Sequence, residues 1–135
     1  MSVAIGTDDS VTTCDCCGRT GLKFTVVIQL DQGEVAHYGQ VCAIRNTGKD
    51  RRTLGNEVNA YRQSQLSTAR REYRSHPAYR AEVARLAERD ALPWNDPRRT
   101  GAKAADFVRS ARQAADKASA EIAARFNLRA WEVRA

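Results

Sequence analysis

At 135 residues and 15.0 kDa the chain suits one domain, or a small module with a helical extension. Hydrophobic residues make up 42% of it and aromatics only 7%, so its helices must pack through alanine, leucine and valine, and no apolar run approaches the roughly 20 residues of a membrane span. The opening Met1-Ser-Val-Ala-Ile-Gly-Thr-Asp-Asp has no basic region followed by an apolar run, so a cytoplasmic protein with no membrane partner is expected.

Charge is unevenly divided. The formal net charge is +6 and the pI about 9.5, yet residues 1–50 carry four bases against six acids, and the remainder carries 18 bases against 10 acids. An excess confined to one half of a chain draws polyanions, which makes nucleic acid the first expected partner. The plainer alternative is a set of solvated, arginine-rich helix faces.

In chain order, residues 1–12 read as a flexible arm, 13–50 as a zinc-knuckle module and 51–135 as a basic helical region. Cys14-Asp-Cys16-Cys17-Gly18 opens the module. Leu22, Phe24, Val26, Ile28 and Leu30 then alternate with Lys23, Thr25, Val27 and Gln29, the pattern of a strand with one buried side. Asp31-Gln-Gly33-Glu34 offers a turn, and Val35-Ala-His37-Tyr38 returns as the partner strand of a β-hairpin. Gly39 permits a change of direction into a short helix that carries Cys42 in its first turn and stops near Gly48.

The helical region starts after a polar joint. A long helix over about 54–75 carries the stripe Leu54, Val58, Tyr61, Leu66, Ala69 and Tyr73, with arginines mostly on its other side. Ser75 or His76 can cap a second helix that has Pro77 in its first turn and runs to about residue 91. A two-proline loop follows, with Trp94 expected to fold back onto the helices. Thr100 caps a third helix to about Phe126, whose alanines invite close antiparallel packing against the first long helix. Leu128 and Trp131 can dock the C-terminal segment or meet a partner. The expected fold class is therefore α+β: a small N-terminal zinc-knuckle hairpin module followed by a three-helix, mainly antiparallel region.

The cysteines carry the chemistry. Cys14 and Cys17 have the two-residue spacing that lets both sulfurs face one metal ion, and Gly18 accepts the turn that must follow. Cys42 is the third candidate ligand. Candidates for the fourth are His37, Cys16 and an exogenous water, and His37 is preferred because a residue between two ligands normally points away from them. Clustered cysteines in a reducing compartment hold metal more often than they form disulfides, and Zn²⁺ suits this soft donor set.

Cys14-x-x-Cys17-Gly18-Arg19, Leu22-Lys23-x-Thr25-Val26, Tyr38-Gly39-x-x-Cys42-Ala43 and Thr47-Gly48 together resemble small zinc-binding proteins, mostly uncharacterised, encoded by actinobacteria and their phages. The order of knuckle, hairpin and helix is similar to a treble-clef zinc finger. The resemblance covers residues 14–48 and implies structural metal binding. It departs from the treble-clef pattern after Cys42, where Arg45 and Asn46 stand in place of a second helix ligand.

No enzyme is expected. His37 and His76 fall on different modules, there is no Gly-rich phosphate loop or Gly-x-Ser-x-Gly, and no nucleophile stands beside a base. The first functional expectation is a zinc-stabilised nucleic-acid-binding protein, DNA foremost, acting through Arg51, Arg52, Arg62, Arg70, Arg71 and Arg74. The alternative is a protein-interaction module that modulates a host protein, anchored by Leu128 or Trp131.

Overall fold

Three strands and five α-helices follow one another through residues 2–135, the part of the chain described by the computed structural model. They are β1 (Val3–Asp8), β2 (Thr25–Gln29), β3 (Val35–Tyr38), α1 (Gln40–Thr47), α2 (Arg51–Ser75), α3 (Pro77–Asp90), α4 (Gly101–Arg125) and α5 (Ala130–Arg134), with a 3-10 turn at Pro97–Arg99. The architecture is α+β, with a small antiparallel sheet at the N-terminal end and helices after it. The chain forms two compact units, Met1–Ser64 and Gln65–Ala135. Their boundary lies inside α2 rather than at residue 50, because Leu54 belongs to the core of the first unit, with Val58 packed against it.

In the first unit the strands lie in the order β1-β2-β3, antiparallel throughout. The expected hairpin is present, with Val26 opposite Tyr38 and Ile28 opposite Ala36. Its turn closes where the Leu30 N–H donates to the Glu34 carbonyl at 2.7 Å. The expected arm is not an arm. Val3 to Asp8 pair with β2 across a bulge between Ala4 and Gly6, and the Ala4 N–H donates to Glu57 Oε2 at 2.9 Å. Met1 lies outside the described residues.

Ala4, Val26, Ile28, Ala43 and Leu54 form the buried core of this unit, so α1 and the start of α2 cover one face of the sheet. The alternation extends less far than the sequence suggests. β2 begins only at Thr25, Phe24 is 40% exposed, and Thr25 on the other face is fully buried, its hydroxyl donating to the Val11 carbonyl at 3.0 Å. The segment after β1 folds over that face, which a lone alternating strand cannot signal.

The second unit centres on Ala69 and Tyr73 from α2, Ile122 and Ala123 from α4, and Val133 from α5. His76 caps α3 as expected, its Nδ1 accepting from the Ala78 N–H at 3.0 Å, with Pro77 in the first turn. α3 and α4 run antiparallel: Arg85 Nε donates to the Phe107 carbonyl at 2.8 Å, while Glu82 lies 3.8 Å from Arg112. α4 therefore packs chiefly along α3, and its C-terminal turns also meet α2. Three helices were expected beyond residue 50 and four are present. The extra one, α5, forms because Val133 completes the core, while Glu132 accepts the Arg129 N–H at 2.9 Å. Trp94 does not fold back; it is 86% exposed. No helix among the described residues is long and apolar enough to cross a membrane.

Candidate metal centre

Two backbone devices bring distant cysteines together in the first unit. The Cys14–Gly18 turn closes on itself, the Gly18 N–H donating to the Cys14 carbonyl at 2.9 Å, with Gly18 at a φ of +74° that L side chains rarely adopt. Asp15 then clasps this turn to β3. Its N–H donates to the His37 carbonyl at 2.8 Å, and its carboxylate accepts the His37 N–H at 2.8 Å. Gly39 ends β3 beside Cys14, where an added Cβ would lie 3.9 Å from Cys14 Sγ and 3.4 Å from Leu22. α1 starts at once, placing Cys42 in its first turn.

The result is a three-sulfur group: the Sγ atoms of Cys14, Cys17 and Cys42 lie within 4.8 Å of one another. Tetrahedral zinc with Zn–S bonds of about 2.3 Å sets neighbouring sulfurs about 3.8 Å apart, so a modest contraction would seat one ion on all three. Cys14 and Cys42 are buried and Cys17 is exposed. The group borders a shallow cleft of about 370 Å³ edged by Arg19, Leu22, Val41 and Arg45.

The electrostatics of this group favour a cation. Burial pushes the Cys14 thiol up, but the backbone N–H groups of Cys17, Gly39 and Cys16 point at its sulfur and outweigh burial, bringing it from 9.0 down to about 7. Cys42 moves the other way. Its contact with the Cys17 sulfur, then burial, then the sulfurs of Cys14 and Cys16 push its thiol up to about 12. One thiolate is thus prepared by backbone dipoles, while further negative charge is resisted for want of a positive partner. A divalent ion held by the three sulfurs would supply that partner.

The other expected ligand stands apart. His37 is not in the group; its Nε2 lies 3.4 Å from Asp8 and its Nδ1 4.0 Å from Asp15. Asp8 reaches it from β1, the strand that occupies the place of the expected arm. Cys16 instead lies close to the group, its Sγ accepting from Asn46 Nδ2 at 3.3 Å. Asp15 and Asn46 are the contributors that sequence reasoning misses. Only Asn46 carries a usable signal, since four residues after Cys42 places it on the same face of α1.

The six expected nucleic-acid-binding arginines are split between the units, with Arg51, Arg52 and Arg62 in the first and Arg70, Arg71 and Arg74 in the second. Five are exposed. Arg70 is half-buried and donates to the Glu132 carbonyl at 2.9 Å. No protein-family model, curated protein or solved structure matches the chain.

Proposed function

We propose that this is a non-catalytic nucleic-acid-binding protein whose first unit is held together by a structural zinc ion on Cys14, Cys17 and Cys42. The donor set supports zinc: three sulfurs gathered from a turn and a helix start suit a soft, tetrahedral ion. The ion's contribution is folding energy, on the order of 10 kcal/mol for sites of this kind.

The nucleic-acid reading is carried by where the charge lies. The first unit holds seven bases and seven acids, and the second fifteen bases and nine acids, so the whole excess sits in the second. There Arg71, Arg74 and Arg80 flank the α2–α3 turn, exposed, and make no ion pair among the described residues. Guanidinium groups left free in this way present paired donors to phosphate oxygens. The decisive measurement is fluorescence anisotropy of a labelled DNA duplex and of a single-stranded RNA with zinc-loaded, nuclease-treated protein over a salt series. Affinity for either that falls linearly on a log–log plot is the expected result. No binding to either at low salt removes this reading.

One observation favours a protein partner instead. Trp131 on α5 is 64% exposed, whereas Leu128 packs against the core of its unit, so of these two it is Trp131 that can anchor an interface.

A further inference from the structure

Beside the three-sulfur group lies a fourth sulfur with a dedicated hydrogen-bond donor. Asn46 Nδ2 donates to Cys16 Sγ at 3.3 Å and to the Cys42 carbonyl at 2.7 Å, so one amide ties the Cys16 side chain to the turn of α1 that carries Cys42. The Cys16 backbone N–H meanwhile points at the Cys14 sulfur. Backbone and side chain of Cys16 thus face two different members of the group.

We propose that Cys16 is the fourth metal ligand, making the centre a four-thiolate site, and that Asn46 is the residue that positions it. This rests on reading Cys14, Cys17 and Cys42 as a metal centre. Cys16 is exposed, so rotation of its side chain toward the ion meets no packed core. The other candidate is engaged elsewhere, His37 facing Asp8 at 3.4 Å. Four thiolates around one divalent ion leave a net charge of −2, each thiol having passed its proton to solvent. Arg19 and Arg45 border the same cleft and offset that charge, with no carboxylate among its lining residues. Asn46 then acts as donor to a ligand sulfur, the role outer-shell partners play at thiolate centres.

The test is made on the wild-type protein loaded with one equivalent of Zn²⁺, alkylated with iodoacetamide and read cysteine by cysteine in a tandem mass spectrometer. Protection of all four cysteines, lost together on chelation, is the expected result, because exposed Cys16 has no protection except metal coordination. Labelling of Cys16 while Cys14, Cys17 and Cys42 stay protected overturns the proposal and leaves the three-cysteine centre standing. Equal labelling of all four in the presence of Zn²⁺ removes the centre itself. Cobalt substitution gives a second reading: the sulfur-to-metal charge-transfer band should lose about a quarter of its intensity in Cys16→Ser, one thiolate of four, and none in His37→Ala. Full intensity in Cys16→Ser would overturn it. Asn46→Ala should keep the full band yet speed alkylation of Cys16 relative to the other three, a change that general loosening of α1 would spread over Cys42 as well.

Discussion

Glu57 Oε2 accepts the Ala4 N–H at 2.9 Å, so a carboxylate on α2 fastens the outer strand of the sheet. Lys49 joins the same carboxylate and also donates to the Ser2 carbonyl at 2.6 Å. Burial pushes the Glu57 carboxyl up, but Lys49 and the Ala4 amide outweigh it and hold it below the ordinary 4.5. A depressed carboxyl adds stability that is complete above 4.5 and is lost as pH falls through the lower folded value. Thermal unfolding of the first unit should therefore be insensitive to pH just above that range and weaken below it. Glu57→Gln should cost about 1–3 kcal/mol near neutral pH and flatten the acid limb. Ala4 amide exchange that is as slow in Glu57→Gln as in wild type would contradict this.

Metal removal should act on one unit alone. The core of Ala69, Tyr73, Ile122, Ala123 and Val133 contains no cysteine, whereas every cysteine lies in the first unit. Chelation, or Cys42→Ser, is expected to destabilise the first unit by on the order of 10 kcal/mol. Hydrogen exchange should quicken in β1–β3 and α1 while α3 and α4 keep their protection.

Zinc retention should fall as pH drops below about 7, where protons compete for the best-prepared thiolate, Cys14. Uptake near neutral pH must expel the proton that Cys42, at about 12, otherwise keeps. In the metal-free protein the two shifts oppose each other. Cys14, depressed, adds stability present above 9.0 and lost as pH falls through about 7; Cys42, raised, adds stability present below 9.0 and lost as pH rises through about 12.

Gly18 sits at φ +74° with nothing within 4 Å of an added Cβ, so substitution there probes backbone conformation without a clash. Gly18→Ala should cost about 1–2 kcal/mol and weaken zinc in competition with a chromophoric chelator. Gly18→Asn, which tolerates the left-handed region, should fall between the two.

These contrasts mark what the sequence could express. Val26 and Ile28 announce their strand through alternation, and Leu66, Ala69 and Tyr73 announce α2 through helical spacing, because one buried face imposes one period on the residues that line it. β1 stays hidden because its six residues carry a bulge between Ala4 and Gly6 and depend on Glu57, more than fifty positions away, to hold their edge. Cys14, Cys17 and Cys42 are legible from spacing. The place of His37 is not, since Asp8 reaches it only once β1 has formed.

The two functional readings separate cleanly by mutation. Replacing Arg71, Arg74 and Arg80 by glutamine should lower the slope of log affinity against log salt by about 0.9 for each duplex phosphate that is no longer neutralised. Trp131→Ala should leave that slope unchanged if the ligand is nucleic acid, and should abolish binding only if the partner is a protein.

Tyr73 is buried, and its hydroxyl has no hydrogen-bond partner among the described residues. Tyr73→Phe should therefore be neutral or raise the melting temperature of the second unit, since no bond is lost and a buried polar atom is removed. A loss of more than about 1 kcal/mol would mean that a bound water satisfies the hydroxyl.

Trp94 and Trp131, the chain's two tryptophans, are 86% and 64% exposed in the folded protein. Their emission should already lie at the long wavelengths of hydrated indole, so intrinsic fluorescence will change little when the chain unfolds. A blue shift would instead mark the moment a ligand covers either ring. The protein carries its own optical sensor for occupancy, and it is nearly blind to denaturation.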